Sequence, residues 1–196
     1  MFSLTAAIDT KDHYTFRHSN NVAYYATSLG EALGMNQDTI EMLRQAALLH
    51  DVGKIGIPES ILNKPGRLTE EEFGVVKGHV EASIGIIKHL PSLDYVIPAV
   101  TGHHERYDGG GYPRGIAGEN IPLTARILCV ADSFDAMVSK RCYKPGIPLK
   151  RVMEILREEA GKQFDPRLVE AFLSLLASGR VKVAADESSL KDLPPQ

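Results

Sequence analysis

The sequence predicts an all-α fold, and three observations support this prediction. Apolar residues recur at helical spacing along most of the 196-residue chain. The alternation of apolar and polar residues that is typical of strands is almost absent. Helix start signals, such as the capping box that Thr69 and Glu72 can form, separate the periodic stretches from each other.

The same signals place each helix in turn. The predicted helices cover residues 14–33, 36–51, 69–90, a stretch that ends near His104, and then 122–138, 149–159 and 166–178. Two loops that contain Gly and Pro interrupt them, VGKIGIPESILNKPGRL at 52–68 and ERYDGGGYPRGIAGENIP at 105–122. We expect residues 1–180 to form one domain and residues 181–196 to form a polar tail that is disordered from Ala184 onwards.

The composition excludes several classes of protein. A formal net charge of −3 gives no sign of a long nucleic-acid partner, although a small phosphate ligand needs only a few local cations. The two cysteines, Cys129 and Cys142, are too few for a disulfide framework and indicate a reducing compartment. The sequence contains neither an apolar run long enough to span a bilayer nor a secretory signal. We therefore expect a cytoplasmic protein.

Ionisable residues lie on the apolar faces of four predicted helices. His18 follows the stripe of Val22, Tyr25, Leu29 and Leu33; His79 follows that of Val75, Val76, Ser83, Ile86 and Leu90; Asp51, beside His50, follows that of Ile40, Leu43 and Ala47; and Asp132 lies one turn from Leu128. A lone inward His is usually a hydrogen-bonded core residue, because buried polar groups are generally satisfied. With the tandem His103–His104 added, however, the converging groups would repel each other or lack partners without a cation. Convergence on a metal site is the favoured interpretation.

The residue types also indicate which metal would bind. Imidazole and carboxylate donors without a thiolate suit iron, manganese, nickel or zinc and disfavour calcium. A carboxylate such as that of Asp51 can bridge two cations, which an imidazole cannot normally do.

Most of the candidate ligands lie within longer sequence motifs that follow one another along the chain. The chain resembles the HD-GYP domain family at these motifs, which are HDVGKIGIPESILNKPGRLT (50–69), His79, HHERYDGGGYPRGIAGENIPLTARI (103–127), DSFDAMVSKRCYK (132–144) and GKQFDPRLV (161–169). The resemblance covers residues 10–175. It implies a helical bundle of the HD-superfamily type and a phosphodiesterase that opens cyclic di-GMP to linear pGpG by means of a metal-bridging hydroxide. Whether pGpG is then cleaved further to GMP is left open by the resemblance.

The resemblance also implies site roles, residue by residue. The ligands of a first metal ion would be His18, His50, Asp51 and Asp132, with Asp51 bridging to a second ion that His79, His103 and His104 also hold. The catalytic residues would be Asp51 and Lys54, with Lys54 beside the scissile phosphate, and the nucleotide contacts would be Lys54, Asp135, Arg141 and Lys144. One side of the site would be shaped by the loop residues Asp108, Gly109, Gly111, Tyr112 and Pro113. Tyr14 stands where some family members carry a glutamate that holds a third metal, so we expect two ions, with iron or manganese favoured.

Two other functions stay open at this point. The domain could bind cyclic di-GMP as a receptor without cutting it, although the complete ligand set argues against this. It could instead hydrolyse another nucleotide, and here the loop at 108–113 disfavours a mononucleotide but not a mixed cyclic dinucleotide such as cyclic GMP-AMP. The expected partners are an N-terminal regulatory domain, a diguanylate cyclase and a second copy of the chain.

Overall fold

The structure, a computed structural model, describes residues 15–139 and 146–183. Its α-helices are α1 Thr15–Ala32, α2 Gln37–Leu49, α3 Glu59–Leu62, α4 Glu70–Lys77, α5 His79–Ile87, α6 Ile97–Gly102, α7 Leu123–Val138, α8 Leu149–Glu158 and α9 Pro166–Ala177. Short 3-10 helices lie at Val52–Gly56, Pro91–Val96 and Gly118–Asn120. Across these two described ranges no strand forms beyond an isolated bridge between Ala160 and Phe164, so the all-α prediction is confirmed.

Helix α1 packs against α2, α7 and α9. Three fully buried rings hold this arrangement: Phe134 of α7 lies 4.9 Å from Tyr25 of α1 and 4.9 Å from Phe172 of α9, centroid to centroid. Edge-to-face pairs at this separation are favourable beyond the area that they bury. The core therefore fixes α1 against α7, the two helices that carry His18 and Asp132.

Most predicted helix starts are confirmed. The Asn36 side chain accepts a hydrogen bond from the Thr39 amide and caps α2. Thr69 and Glu72 form the predicted capping box of α4. Each cap satisfies amide groups that have no partner within their helix, and a cap of this kind typically stabilises a protein by about 1 kcal/mol.

The predicted single helix at 69–90 is wrong, because the chain divides at Gly78 into α4 and α5. Glycine is a poor helix former, and the break lets the His79 ring turn back towards the end of α4. Val75 and Leu90 are exposed although they were expected on the buried stripe of His79; Val75 lies before the break, and Leu90 lies beyond Ile87, where α5 ends. Leu33 at the end of the His18 stripe is also exposed, whereas Val22, Tyr25 and Leu29 are buried.

The loop prediction for 52–68 is also corrected, because the 3-10 helix Val52–Gly56 and α3 both form there. At the other end of the chain, Val181 is buried against the core, and the expected tail from residue 184 lies outside the described residues. The domain limit at residue 180 stays a prediction. Within the described ranges, the helices are all too short or too polar to cross a membrane.

Candidate metal centre

Three histidines lie where helices end, and their rings are oriented by the same contact. His50 follows α2, His79 follows Gly78 at the end of α4, and His103 follows α6. In each case Nδ1 lies 2.6–2.7 Å from the carbonyl oxygen three residues earlier, at Ala47, Val76 and Val100 respectively. A carbonyl oxygen can only accept, so Nδ1 carries the proton and Nε2 carries the lone pair.

The three Nε2 atoms are buried and have no hydrogen-bond partner among the described residues. His50, His79 and His103 are each at most 1% exposed, so bulk water cannot readily donate a hydrogen bond to their Nε2 atoms. Buried nitrogen lone pairs are costly unless something binds them. Helix carboxyl ends also carry partial negative charge, which favours a cation. These features fit metal ions as the missing partners of the three Nε2 atoms.

Asp51 lies between two groups of donors and has one oxygen near each. Its Oδ2 is 3.3 Å from His50 Nε2 and 4.0 Å from His18 Nε2, whereas its Oδ1 is 3.4 Å from His79 Nε2. Two groups of donor atoms lie close enough to hold an ion, namely His18, His50 and Asp51, and Asp51, His79, His103 and His104. The shared carboxylate therefore has the geometry of a bridge between two cation sites.

Asp132 completes the first group from α7. Its Oδ1 lies 3.1 Å from His18 Nε2 and 3.9 Å from His50 Nε2. The structure thus brings together all seven of the residues that the sequence predicted as ligands. Their donors are nitrogen and oxygen atoms, and burial raises the pKa of the nearby Cys129 thiol to about 12, which keeps it protonated.

Asp135 is placed differently from its predicted contact with the nucleotide. It is fully buried, and its Oδ2 accepts a hydrogen bond from His18 Nδ1 at 2.7 Å. Asn21 and Ser139 donate to its other oxygen at 2.9 and 3.1 Å. With no exposed surface and both oxygens engaged, Asp135 orients the His18 ring, as carboxylates behind metal-binding histidines commonly do.

The charges of the cluster suit cation binding near neutral pH. Burial lowers the pKa of His79, lowers that of His103 well below its usual value, and lowers that of His104 to about 4. Burial opposes ionisation of Asp51, but the neighbouring Lys54 ammonium holds the pKa of Asp51 well below the ordinary range. Neutral imidazoles and an ionised carboxylate are the protonation states that bind metal.

His18 differs from the other histidines because it lies between two carboxylates. Burial opposes its protonation, but hydrogen bonds to Asp132 and Asp135 outweigh burial and raise the pKa of His18 to about 9. The pKa of Asp132 is correspondingly lowered by His18, against the effect of burial. A cation bound at this end of the cluster would therefore displace the His18 proton.

Lys54 lies at the edge of the cluster, on the 3-10 helix that follows Asp51. Its Nζ donates to Asp51 Oδ2 at 2.5 Å, and its side chain is 26% exposed. The turn that presents both residues is held against α5 by Ser83, whose Oγ accepts from the Gly53 amide at 2.8 Å and donates to the His50 carbonyl at 3.0 Å. Ser83 was expected only as part of a buried stripe, so its structural role was missed.

The predicted loop with Gly111, Tyr112 and Pro113 supports His104 from one side. The Tyr112 ring stacks on the His104 ring at 4.8 Å, and the Tyr112 amide donates to the His104 carbonyl at 3.1 Å. A Cβ at Gly111 would lie 2.6 Å from that same carbonyl, so only glycine allows this approach.

The other loop residues hold the loop in place. Asp108 accepts from the Gly110 amide at 3.0 Å and pairs with the Arg106 guanidinium, and Gly109 adopts a positive φ of 85°. Glu105 was missed by the sequence reasoning, although it directly follows the two histidines. It is 2% exposed and accepts from the Arg114 amide at 2.7 Å, which ties the loop back to His104. Arg141 and Lys144 lie outside the described residues.

Comparison with known proteins gives the family. Residues 3–168 match the family described as HD domain. The cyclic di-GMP phosphodiesterase of Thermotoga maritima is 43% identical over 167 residues, which are 84% of this chain and 45% of that protein. The 3'3'-cGAMP-specific phosphodiesterase 2 of Vibrio cholerae is 37% identical over 177 residues, which are 88% of this chain and 34% of that protein. The chain thus spans less than half the length of these curated relatives.

A solved structure supports the same fold. Bd1817, described as an HDG"Y"P protein from Bdellovibrio bacteriovorus, superposes with a TM-score of 0.69 at 22% sequence identity, covering 85% of this chain and 53% of that one. Together with the match over residues 3–168, this confirms the resemblance seen in the sequence motifs. The chain belongs to the HD-domain family.

Proposed function

We propose that this chain hydrolyses cyclic di-GMP to linear pGpG with two divalent metal ions. The observation that carries the proposal is the convergence of three buried, unpartnered Nε2 atoms on a carboxylate shared by two donor groups. The name of the relative from Thermotoga maritima, a cyclic di-GMP phosphodiesterase, supports the choice of substrate.

The donors divide between the two ions at Asp51. We assign His18, His50, Asp51 and Asp132 to the first ion and Asp51, His79, His103 and His104 to the second. Bound there, the two ions would supply hydroxide near neutral pH and offset the charge of the phosphate, and we favour iron or manganese over nickel or zinc. The residue at the expected third-metal position, Tyr14, lies outside the described residues, and two ions remain our proposal.

The chain's own side chains would orient the substrate and stabilise developing charge. The partly exposed Lys54 ammonium can leave Asp51, once Asp51 binds cations, and donate to a phosphoryl oxygen as negative charge grows on it. The carboxylate of Asp135 would keep the His18 ring in place throughout. We keep Arg141 and Lys144 as proposed contacts to the nucleotide.

A second substrate has specific support. The relative from Vibrio cholerae is named as specific for 3'3'-cGAMP, and its identity to this chain is only slightly lower. We therefore propose mixed cyclic dinucleotides as the alternative substrate class. From the resemblance, we also propose a cytoplasmic signalling role that involves an N-terminal regulatory domain, a diguanylate cyclase or a second copy of the chain.

The test combines metal analysis with product chromatography. The purified chain is loaded with iron or manganese under reducing conditions and incubated with cyclic di-GMP, and we expect pGpG. The His50→Ala, Asp51→Ala double variant should lose both the metal and the turnover, whereas a His89→Ala control, at an exposed histidine, should keep both. Tight binding of cyclic di-GMP without turnover by the metal-loaded chain would contradict the proposal and favour a receptor.

A further inference from the structure

The rings of Tyr112 and Phe73 form an aromatic ledge that extends from His104 in the metal centre to the surface of α4. Tyr112 stacks on His104 at a centroid distance of 4.8 Å, and Phe73 of α4 meets the Tyr112 ring edge-to-face at 6.4 Å. The Phe73 side chain is 46% exposed. Two consecutive ring contacts therefore connect His104, a candidate metal ligand, with the exposed apolar surface of Phe73.

A cation lies beside this ledge. Lys77, one turn after Phe73, places its Nζ 4.8 Å from the Phe73 centroid and 5.8 Å from the Tyr112 centroid. Among the described residues, the ammonium group of Lys77 contacts these two rings and forms no ion pair with a carboxylate, so its donors are available to a ligand. By contrast, Lys64, which lies between α3 and α4, is paired with Glu72 at 2.7 Å.

We propose that Phe73, Tyr112 and Lys77 form a purine subsite that selects guanine over adenine in the cyclic dinucleotide. This inference rests on the proposed function, since the metal centre holds the phosphate to which the base is attached. Aromatic side chains stack on any base, because every base has a π-face. A lysine ammonium adds selectivity, because guanine presents the acceptors O6 and N7 on one edge, whereas adenine presents an amino donor in place of O6.

The two parts of the subsite make different predictions for substrate choice. Loss of the ring should weaken every purine dinucleotide, and loss of the ammonium should weaken only those that contain guanine. A subsite that reads one guanine accepts both cyclic di-GMP and 3'3'-cGAMP and disfavours cyclic di-AMP. The ledge would thus account for a choice between substrates that the metal centre cannot make, because the centre contacts only the phosphate.

The experiment compares four substrates in the metal-loaded chain: cyclic di-GMP, 3'3'-cGAMP, cyclic di-AMP and bis(p-nitrophenyl) phosphate, which has no purine. For Lys77→Gln we expect kcat/KM to fall about tenfold for cyclic di-GMP, with little change for cyclic di-AMP or bis(p-nitrophenyl) phosphate. Lys88→Gln removes the same charge at an exposed site beyond the far end of α5 and should change none of them.

For Phe73→Leu we expect KM to rise about fivefold or more for all three cyclic dinucleotides, and Phe73→Tyr should restore it. An equal loss on all four substrates would indicate a structural defect and overturn the subsite. So would a Lys77→Gln variant with an unchanged ratio of cyclic di-GMP to cyclic di-AMP.

Affinities for hydrolysis-resistant phosphorothioate analogues separate failure of the subsite from failure of the proposed function. A wild-type chain that cuts none of the cyclic dinucleotides contradicts the proposed function. The subsite still stands if that chain binds the cyclic di-GMP analogue and Lys77→Gln weakens the binding about tenfold. It is overturned if no analogue binds.

Discussion

Replacement of Gly53 by alanine should disrupt the metal centre through the backbone alone. A Cβ at this position would lie 2.1 Å from the His79 carbonyl oxygen and 2.5 Å from the Ser83 amide nitrogen, where ordinary contacts begin near 3.4 Å. Both atoms belong to the backbone of α5, so the turn after Asp51 must move away by roughly 1 Å. A shift of about 1 Å at a reacting centre can cost about a hundredfold in rate. Overpacking of this kind also destabilises a fold by about 1–3 kcal/mol.

The assay for Gly53→Ala is turnover of cyclic di-GMP with metal content and thermal unfolding measured on the same preparation. Gly56→Ala is a matched control, because Gly56 lies on the same 3-10 helix and its Cβ would have no atom within 4 Å. We expect Gly53→Ala to lose at least about a hundredfold in kcat/KM and Gly56→Ala to stay close to wild type. A Gly53→Ala variant with full metal content, wild-type stability and wild-type turnover would refute the reasoning.

Two further predictions follow from single contacts. Asp135→Asn removes the carboxylate that accepts a hydrogen bond from His18, so the affinity for manganese should fall about 10- to 100-fold in a titration. An unchanged affinity would mean that Asp135 does not orient the His18 ring. Asp165→Asn removes the carboxylate that offsets the charge of the buried Arg126, whose remaining acceptor is the neutral Ile121 carbonyl. This change should lower the free energy of unfolding by about 3 kcal/mol at pH 7, as measured by urea titration. Burial opposes ionisation of Asp165, but hydrogen bonds from Arg167 and Arg126 outweigh it and lower its pKa below the usual value. A carboxyl with a lowered folded-state pKa contributes its stability above the unfolded-state pKa, about 3.9, and loses it as the pH falls through the folded-state value. The difference between wild type and Asp165→Asn should therefore shrink below about pH 4, and a difference that is constant with pH would contradict the ion pair.

The sequence predicted the parts of the fold that depend on local chemistry. The Asn36 cap and the Thr69–Glu72 capping box need only residues within one turn, and both form as expected. The break at Gly78 was missed because apolar spacing continues across it. At the break, His79 Nδ1 turns back to the Val76 carbonyl and Nε2 faces Asp51 at a different helix end, a contact that apolar spacing does not show.

The sequence predicted which residues cluster at the site but not how their atoms are arranged. Inward His and Asp residues on several apolar stripes identify a cluster without showing which oxygen faces which nitrogen. Asp135 illustrates the limit: its spacing from Asp132 puts it near the site, but only the packing of α7 against α1 shows that it lies behind His18. Ser83 and Phe73 depend on contacts between distant segments, so no local pattern could distinguish them from ordinary buried and exposed residues.

The most direct test of the shared carboxylate is metal stoichiometry in the wild-type chain and in Asp51→Asn, measured by mass spectrometry together with turnover of cyclic di-GMP. Asn keeps the size of Asp51 but lacks the charge that can bridge two cations. We expect two ions per chain and hydrolysis to pGpG in the wild type, and loss of at least one ion together with turnover in Asp51→Asn. A wild-type chain that hydrolyses cyclic di-GMP with a single ion, or an Asp51→Asn variant that keeps two ions and full activity, would contradict the account.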